Sequence, residues 1–280
     1  VSDTTTDICV IGGGSGGLSV AAGAVQMGAR VVLVEGHKMG GDCLNYGCVP
    51  SKALIAAAHA AHARSVGAEM GVVSQPPKID YAKAMGHVRS TIETIEPHDS
   101  VERFEGLGVD VRQGVAKFVS PDEIVVNGDK IRARRFVIAT GSAPFVPPIK
   151  GLTDVPYLTN ESLFDLRDRP EHLLIIGGGP IGIEMAQAHR RLGSDVTVIE
   201  GETALGKDDP EIASVALAAI RGEGVEIEEG ALVSSVSGKA GDVTVQTQDG
   251  RTIKGTDLLV AVGRVPNTES LNLSAAGVDH

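Results

Sequence analysis

The sequence contains no tryptophan, and only 3% of its residues are aromatic. Its formal net charge of -11 leaves no basic excess, so it lacks both the positive surface and the stacking side chains of a nucleic-acid-binding protein. No run approaches the roughly eighteen apolar residues of a transmembrane helix. The N-terminal residues show no basic stretch followed by an apolar one, so no secretory signal is predicted. These absences favour a cytoplasmic protein without a membrane or nucleic-acid partner.

Cysteine is also scarce, with three in 280 residues. An odd, small number argues against a disulfide scaffold and excludes four-cysteine zinc or iron–sulfur sites within one chain. Cys9 lies in an apolar run and is predicted to be an inert core residue. Cys43 and Cys48 lie five residues apart and require a separate explanation. We predict no metal site.

Glycine, by contrast, is abundant, with 36 residues or near twice the average usage. Much of it belongs to a pattern that occurs twice: apolar strand, glycine-rich loop, helix, second apolar strand, acid. The first copy covers residues 7–35 and the second covers residues 172–200. Glu35 follows Gly12 by 23 residues, and Glu200 follows Gly177 by the same 23. This context, rather than the glycines alone, is what the dinucleotide-binding fingerprint requires.

The fingerprint glycines are Gly12, Gly14 and Gly17 in the first copy and Gly177, Gly179 and Gly182 in the second. In each copy the first glycine permits a tight turn, the second lets a pyrophosphate approach the backbone, and the third lets helix and strand pack closely. The diphosphate would lie on the helix N-terminus. Glu35 and Glu200 can each accept hydrogen bonds from a ribose 2′-OH, and Glu200 favours NAD over NADP because a carboxylate repels a 2′-phosphate. Two dinucleotide sites are therefore predicted.

The two remaining cysteines belong to the segment 40–52, which precedes an alanine-rich helical pattern. Residues five apart on an ideal helix have Cα atoms about 8.7 Å apart, whereas a disulfide needs about 4.4–6.8 Å. A bridge between Cys43 and Cys48 thus requires a distorted turn, for which we expect Gly47 to supply conformational freedom. We expect Cys48 to begin the helix, just before Pro50, where the helix dipole and Lys52 favour a thiolate. This arrangement suits electron exchange.

The residues leave two other interpretations of the cysteines open. They could be two unlinked buried thiols, or half of a metal site completed by His37, His59 or His62. Elsewhere, a helical pattern covers residues 81–105 with Pro97 as a break. Residues 109–126 alternate like strands before a turn at residues 127–128, and residues 225–253 alternate with a hairpin turn near residues 249–250. Prolines at 144, 147 and 148 mark a link between domains.

The segment Gly-Gly-Asp-Cys-Leu-Asn-Tyr-Gly-Cys-Val-Pro-Ser-Lys, placed between two fingerprints, resembles the class I pyridine nucleotide-disulfide oxidoreductases, in particular dihydrolipoamide dehydrogenase and mercuric reductase-like flavoproteins. The resemblance covers essentially the whole chain. It implies an α/β fold with two Rossmann-like three-layer domains, parallel sheets and short antiparallel β excursions. The implied spans are an FAD-binding domain with a redox-cysteine insert at 1–148, an NAD(P)-binding domain at 149–272, and a truncated tail at 273–280.

Site residues are implied by the resemblance, position by position. The implied catalytic residues are Cys43, Cys48, Lys52 and Glu184. The implied FAD-binding residues are Gly12, Gly14, Gly17, Glu35, Gly41, Asp42, Cys43, Lys52, Ala116, Thr140, Gly141 and Ser142. The implied NAD-binding residues are Gly177, Gly179, Gly182, Glu184, Glu200, Val233 and Gly263. Lys52 would stabilise reduced flavin, Glu184 would pair with Lys52 beside the nicotinamide, and Ile181 would leave that pocket open.

The resemblance also implies a mechanism: NADH passes a hydride to FAD, reduced flavin opens the Cys43–Cys48 disulfide with Cys48 facing the flavin, and Cys43 attacks the substrate. Dihydrolipoamide dehydrogenase runs this sequence in reverse. The substrate would be a small disulfide or dithiol; the alternatives are a thiol-bound metal ion or a quinone, or a non-catalytic nucleotide-binding redox module. The family's Ala-x-Gly-Asp flavin segment and the His-Glu pair of its dimer-forming interface domain are not found. We therefore expect a truncated chain with weak or no turnover alone.

Overall fold

A computed structural model describes residues 3–66, 71–72 and 77–279, except for the side chains of residues 64–66. The α-helices are α1 Ser15–Gln26, α2 Gly41–Asn45, α3 Cys48–Val66, α4 Tyr81–Ile95, α5 Val101–Gly106, α6 Pro180–Arg191 and α7 Pro210–Gly222. The strands of the first half are β1 Asp3–Ile11, β2 Val31–Glu35, β3 Asp110–Gln113, β4 Ala116–Ser120, β5 Glu123–Val126, β6 Asp129–Ile138 and β7 Ser142–Pro144. Those of the second half are β8 His172–Ile176, β9 Asp195–Ile199, β10 Glu226–Glu228, β11 Val233–Lys239, β12 Asp242–Thr247, β13 Thr252–Gly255, β14 Asp257–Val260 and β15 Arg264–Pro266.

The chain forms two compact units. The first consists of Val1–Val49, Ser90–Ala143 and Val265–His280, and the second consists of Pro50–Arg89 and Pro144–Arg264. The helical segment after the cysteines thus groups with the second unit, and the C-terminal segment groups with the first. The spans 1–148, 149–272 and 273–280 are drawn along the sequence and stay a prediction. Within the described residues, no helix has the length and apolarity to cross a membrane.

The first unit is built on a six-stranded sheet with the order β3-β2-β1-β6-β5-β4. Strand β1 pairs in parallel with β2 and β6, whereas β4, β5 and β6 pair antiparallel. Alternate residues of β1 serve two cores, since side chains along a strand point to opposite faces. Val10 packs with Leu33 and the α1 residue Leu18. Cys9 and its neighbours pack in a separate cluster with β4, β5 and β6.

Cys9 is fully buried in that cluster, and burial raises the pKa of its thiol to about 12. It is an inert core residue, as predicted. The C-terminal segment also enters this cluster, since Leu271 and Leu273 are 2% and 3% exposed. The Asn272 side-chain amide donates a hydrogen bond to the carbonyl oxygen of Phe118 at 2.9 Å. The residues before and within the predicted tail are therefore part of the first unit's core.

The second unit contains an all-parallel sheet with the order β10-β9-β8-β14 and a separate antiparallel sheet with the order β11-β12-β13. Leu174 and Ile176 of β8 pack against Val243 and Val245 of the antiparallel sheet. Helix α6 contacts β8 and β9. The parallel strands are short apolar runs, as expected for strands covered on both faces. The predicted fold class, two Rossmann-like folds with antiparallel excursions, is confirmed.

The smaller secondary-structure predictions also hold. The helical pattern of residues 81–105 divides into α4, a 3₁₀ turn at Glu96–Asp99 and α5, so the break falls at Pro97. Asn127 and Gly128 have φ values of 51° and 92°, which suits the two positive-φ positions of a tight hairpin turn. Gly250, with φ of 90°, lies in the turn between β12 and β13.

Candidate active site

The first glycine-rich loop is closed by backbone contacts that only glycine allows. Gly12 has φ of 110°, and a Cβ on it would overlap the carbonyl oxygen of Ala139. A Cβ on Gly17 would overlap the carbonyl oxygen of Gly12 and lie 3.2 Å from Val10 Cγ1. The first and third fingerprint glycines therefore hold the loop against β1 and the end of β6. Gly14 is less crowded, since among the described residues the atom nearest to a Cβ on it would be Gly41 Cα at 3.7 Å.

The second glycine-rich loop repeats this construction. Gly177 has φ of 112°, and a Cβ on it would overlap the carbonyl oxygen of Ala261. A Cβ on Gly182 would overlap the carbonyl oxygen of Gly177. Among the described residues, no atom lies within 4 Å of the Cβ position of Gly179. Each loop therefore presents a bare backbone before a helix N-terminus, which is the shape that binds a pyrophosphate.

The two acids at the ends of the fingerprints are fixed by matching hydrogen bonds. Glu35 accepts from the backbone N–H of Gly13 at 2.5 Å and of His37 at 2.6 Å. Glu200 accepts from the backbone N–H of Gly178 at 2.6 Å and from the backbone N–H of Glu202 at 2.9 Å. Each carboxylate oxygen can accept a further hydrogen bond. Both acids are thus held beside their loops with acceptor capacity left for a ribose diol.

The repeat extends beyond these acids, which the sequence pattern did not predict. Five residues after each acid, a backbone N–H donates to the carbonyl oxygen of the residue directly after the loop's first glycine: Gly40 to Gly13 at 2.8 Å, and Leu205 to Gly178 at 2.9 Å. Gly40 and Leu205 have φ values of 80° and 53°. A glycine signal marks this position in the first copy. A leucine at positive φ leaves no such signal in the second.

The cysteine segment is a broken helix. Helix α2 ends at Asn45, Tyr46 has φ of −139°, and α3 begins at Cys48. The predicted distorted turn and the predicted helix start at Cys48 are both present. The expected role of Gly47 needs correction, because this glycine is not among the residues with positive φ. A Cβ on Gly47 would lie 2.9 Å from Asp42 Oδ2 and 3.1 Å from the Asp42 carbonyl oxygen. Gly47 provides room for Asp42 rather than conformational freedom.

The two thiols of this segment interact. The structure describes all three cysteines of the chain, and none of them is joined in a disulfide. Cys48 is exposed and Cys43 is half-buried. Burial, a hydrogen bond with Cys48 and the negative charges of Cys48 and Asp99 raise the pKa of Cys43 to about 11. The Cys43 thiol is therefore harder to deprotonate than an ordinary cysteine.

Lys52 and Glu184, 132 residues apart in sequence, form an ion pair with Nζ 2.8 Å from Oε2. Lys52 lies one turn after Cys48 on α3, and Glu184 lies in the first turns of α6. The two side chains are 63% and 43% exposed. Exposed ion pairs contribute only about 0–1 kcal/mol to the stability of a fold. The significance of this pair is therefore that it holds a positive and a negative charge at a fixed position, one turn after Cys48. It joins α3 to α6, the helix that follows the second glycine-rich loop.

The second unit also holds a pocket of about 750 Å³, a size typical of ligand sites. Five of the predicted NAD-binding residues line it, namely Gly177, Gly179, Glu200, Val233 and Gly263. Gly182 and Glu184 are outside the lining. The lining residues that the sequence did not predict include Phe145, Glu202, Lys207, Leu232, Val262 and Arg264. Most of them lie in loops without a regular pattern, so no sequence signal identified them.

The remaining predicted FAD-binding residues lie at strand ends of the first unit. Ala116 begins β4 and is 2% exposed. Thr140 and Gly141 follow β6, and the Asn267 side-chain and backbone N–H groups donate to their respective carbonyl oxygens, each at 3.0 Å. Gly41 lies close to the first loop, since a Cβ on it would come 2.7 Å from Gly14 Cα. Asn267, which holds the segment 140–142, was not predicted.

Two dinucleotide folds, a thiol pair and a lysine–carboxylate pair are together typical of the pyridine nucleotide-dependent oxidoreductases. Comparison with known proteins agrees. Residues 6–280 match the pyridine nucleotide-disulphide oxidoreductase family, and the chain belongs to this family. FAD and NAD(P)H are the cofactors of the family, and the bare glycine-rich loops with their fixed acids fit both.

Among curated relatives, the chain is 36% identical over 283 residues to a mercuric reductase from Lysinibacillus sphaericus, covering 100% of this chain and 52% of the relative. It is 37% identical over 282 residues to a mercuric reductase from Acidithiobacillus ferrooxidans, covering 97% and 51%. Among solved structures it is similar to the HOCl-induced flavoprotein disulfide reductase RclA from Escherichia coli, with TM-score 0.85, 29% identity, and 98% and 60% coverage. The chain thus spans about half the length of the curated relatives it matches.

Proposed function

We propose that this chain provides the electron-transfer half of a flavoprotein disulfide oxidoreductase, in which Cys43 and Cys48 form the redox pair. One observation carries the proposal: the two thiols are hydrogen-bonded across a broken helix, and the helix that begins at Cys48 carries Lys52, which is paired with Glu184. A structural cysteine pair would need neither an exposed thiol nor a lysine one turn away. We assign catalytic roles to these four residues.

Bound FAD would supply the two-electron relay between a pyridine nucleotide and the cysteines. The overall step converts NADH and the Cys43–Cys48 disulfide into NAD⁺, a thiol on Cys43 and a thiolate on Cys48. The S–S bond breaks as it accepts the electron pair. The raised pKa of Cys43 favours its taking up the proton that accompanies the electron pair, so the negative charge stays on Cys48. The helix start and Lys52 are placed to stabilise that charge.

The cofactor-binding residues are assigned by unit. We propose that the first fold, with Glu35 and the segments 41–43, 116 and 140–142, binds FAD, and that the second, with Glu200 and the pocket, binds NAD. Glu202 adds a second carboxylate to the lining beside Glu200, which disfavours the 2′-phosphate of NADP. We also propose a cytoplasmic location and small-molecule substrates. The domain spans 1–148 and 149–272 remain part of the proposal.

Two substrate classes fit the dithiol. One is a small disulfide or dithiol of the lipoamide type, which exchanges with Cys43. The other is a soft metal ion that binds both sulfurs and accepts two electrons. The names of the relatives, mercuric reductases at 36% and 37% identity, favour the second class. Comparing oxidation of NADH with lipoamide and with mercuric ion as acceptors, in the longest available form of the protein, separates them.

The decisive experiment for the relay is the visible spectrum of the FAD-reconstituted chain before and after anaerobic addition of NADH. We expect a long-wavelength band from a thiolate beside the flavin in the wild type. The Cys48→Ser variant should lose it, whereas the Cys9→Ala variant, altered at a buried thiol, should keep it. A chain that retains FAD but shows no Cys48-dependent band would contradict the assignment of the pair. A chain that binds no FAD would contradict the first-unit assignment.

A further inference from the structure

Phe145 is an aromatic residue in an unexpected position. All five phenylalanines are in the described part of the chain, and Phe145 alone among them is exposed, at 42%. It lines the pocket of the second unit together with the exposed apolar side chains of Ile181, Leu232 and Val262. Grouped exposed apolar side chains mark a surface that a ligand covers. The ring of Phe145 thus needs a partner inside this pocket.

The sheet order shows which half of a dinucleotide would reach each side of the pocket. Strands β9 and β14 flank β8, which leads into the glycine-rich loop. Glu200 follows β9 and marks the side of the adenosine ribose. With its pyrophosphate on the loop, a dinucleotide extends its other half toward β14, because the site lies where the strand order reverses. The β14 side is therefore the side of the nicotinamide.

Phe145 lies on the β14 side. Its backbone N–H donates to the carbonyl oxygen of Gly263 at 2.9 Å, three residues beyond the end of β14. Gly263 has φ of 148°, and no atom of the described residues lies within 4 Å of its Cβ position, so its backbone faces open space in the lining. Ile181, at the start of α6, is 41% exposed in the same pocket.

We infer that Phe145 forms the aromatic wall of the nicotinamide half of the dinucleotide site. The inference rests on the proposed function of the second unit and adds a binding residue to it. A flat apolar ring suits the face of a nicotinamide ring, since offset stacking of aromatic rings contributes beyond area burial. The residue lies in a proline-rich link with no periodic pattern, which is why no sequence signal indicates it.

Ligand truncation tests this inference on the purified chain. Calorimetric titration would measure the dissociation constants of NAD⁺ and of ADP-ribose, which lacks only the nicotinamide, for the wild type and for Phe145→Ala, Phe145→Tyr and Ile212→Ala. Phe145→Ala should weaken NAD⁺ binding about tenfold and leave ADP-ribose binding unchanged. Phe145→Tyr should bind both like the wild type. Ile212→Ala removes a 69% exposed apolar side chain outside the lining and should change neither.

The outcomes separate this inference from the proposed function. If the wild type binds NAD⁺ and Phe145→Ala binds it equally well, the wall is elsewhere and the inference is wrong. If Phe145→Ala loses NAD⁺ and ADP-ribose to the same extent, the ring contacts the adenosine half, and the assignment to the β14 side is wrong. If the wild type binds neither ligand, the second-unit assignment fails and the inference fails with it. A circular dichroism melt of each variant confirms that it is folded.

Discussion

The two dinucleotide folds of this chain share a construction and then diverge at one point. Each has a first glycine at positive φ and a third fingerprint glycine packed against the first glycine's carbonyl oxygen. In each, the acid accepts from the backbone N–H of the residue directly after the first glycine, and that residue's carbonyl oxygen accepts from the backbone N–H five residues beyond the acid. After Gly40 the first fold continues directly into the cysteine helices. After Leu205 the second fold continues into a loop and α7. The segment after the acid therefore distinguishes the fold that carries the cysteine pair from the fold that lacks it.

A second difference lies in the helices after the two loops. Helix α1 has no basic residue in its last turn, whereas α6 ends in His189, Arg190 and Arg191. Arg191 donates two hydrogen bonds to Glu223, at 2.6 and 2.7 Å, in an ion pair whose side chains are 14% and 15% exposed. Basic groups at a helix C-terminus are favourable in themselves. In the second fold Arg190 and Arg191 also bond to Glu223, the residue that caps α7, and so fix α6 to that helix.

The largest expected effect comes from the element that only the first fold has. Cys43→Ser should abolish electron transfer to disulfide or metal acceptors, because it removes the thiol proposed to attack the substrate. Diaphorase activity with an artificial acceptor should survive, since that reaction needs only the flavin. Steady-state NADH oxidation with each acceptor measures both. Equal loss of the two activities would mean that the serine disturbs the flavin site rather than the relay.

Matched glycine substitutions should separate the two folds. In Gly12→Ala and in Gly177→Ala the new Cβ overlaps a backbone carbonyl at a positive-φ position, and backbone strain of this kind costs on the order of 1–3 kcal/mol per residue. We expect Gly12→Ala to release FAD and Gly177→Ala to lose NAD⁺ binding while keeping FAD. Flavin content and calorimetry measure the two losses. Loss of both cofactors in either variant would show that the folds are not independent sites.

The Arg191–Glu223 pair should contribute to stability in the second fold. Arg191→Leu leaves Glu223 without its main partner, so we expect a loss of about 3 kcal/mol. Burial alone would raise the pKa of Glu223, but hydrogen bonds from Arg191 and Gln187 and the charge of His62 outweigh it and lower the pKa. Because the pKa of Glu223 is lowered on folding, its stabilisation is fully present above the ordinary carboxyl pKa and is lost as pH falls from there through the lowered pKa.

Chemical denaturation of the wild type and of Arg191→Leu, at neutral pH and near pH 4, measures that contribution. The difference in unfolding free energy between them should narrow at the lower pH. The surface variant Arg167→Leu is a suitable control, because the Arg167 guanidinium donates to the carbonyl oxygen of the adjacent Leu166. A difference that is independent of pH would show that Arg191 acts through packing rather than charge.

The smallest effect concerns the point where the folds diverge. Gly40→Ala places a Cβ at φ of 80° against the side chain of Leu44, so we expect about 1–2 kcal/mol of destabilisation. Leu205→Ala keeps a residue that already has φ of 53°, and we expect a loss below about 1 kcal/mol. Thermal unfolding of the two variants compares them. A larger effect at Leu205 would show that its side chain, rather than its backbone, supports the loop.

Much of the site could be predicted from local sequence. The glycine spacing and the acids placed both loops, and the broken helix around Cys43 and Cys48 was expected from the distance that a disulfide requires. Local sequence could not predict residues whose positions depend on hydrogen bonds to backbone groups far away in the chain. Asn267 donates to the segment 140–142 across more than a hundred residues, and Phe145 reaches Gly263 over a similar separation. The prediction for Gly47 was wrong because a glycine can be required for an unusual backbone conformation or for lack of space around it. The sequence does not say which applies, and at Gly47 it is the space taken by Asp42.

The sequence by itself determined the two nucleotide folds, the order of their strands and helices, and the position of the thiol pair, because these depend on periodicity, glycine geometry and spacing within about thirty residues. Only the tertiary structure decided three other features. In the folded chain Lys52 forms an ion pair with Glu184, burial raises the pKa of Cys43, and the side chain of Phe145 lines a pocket. These depend on burial and on contacts between segments far apart in the chain, which no local pattern encodes.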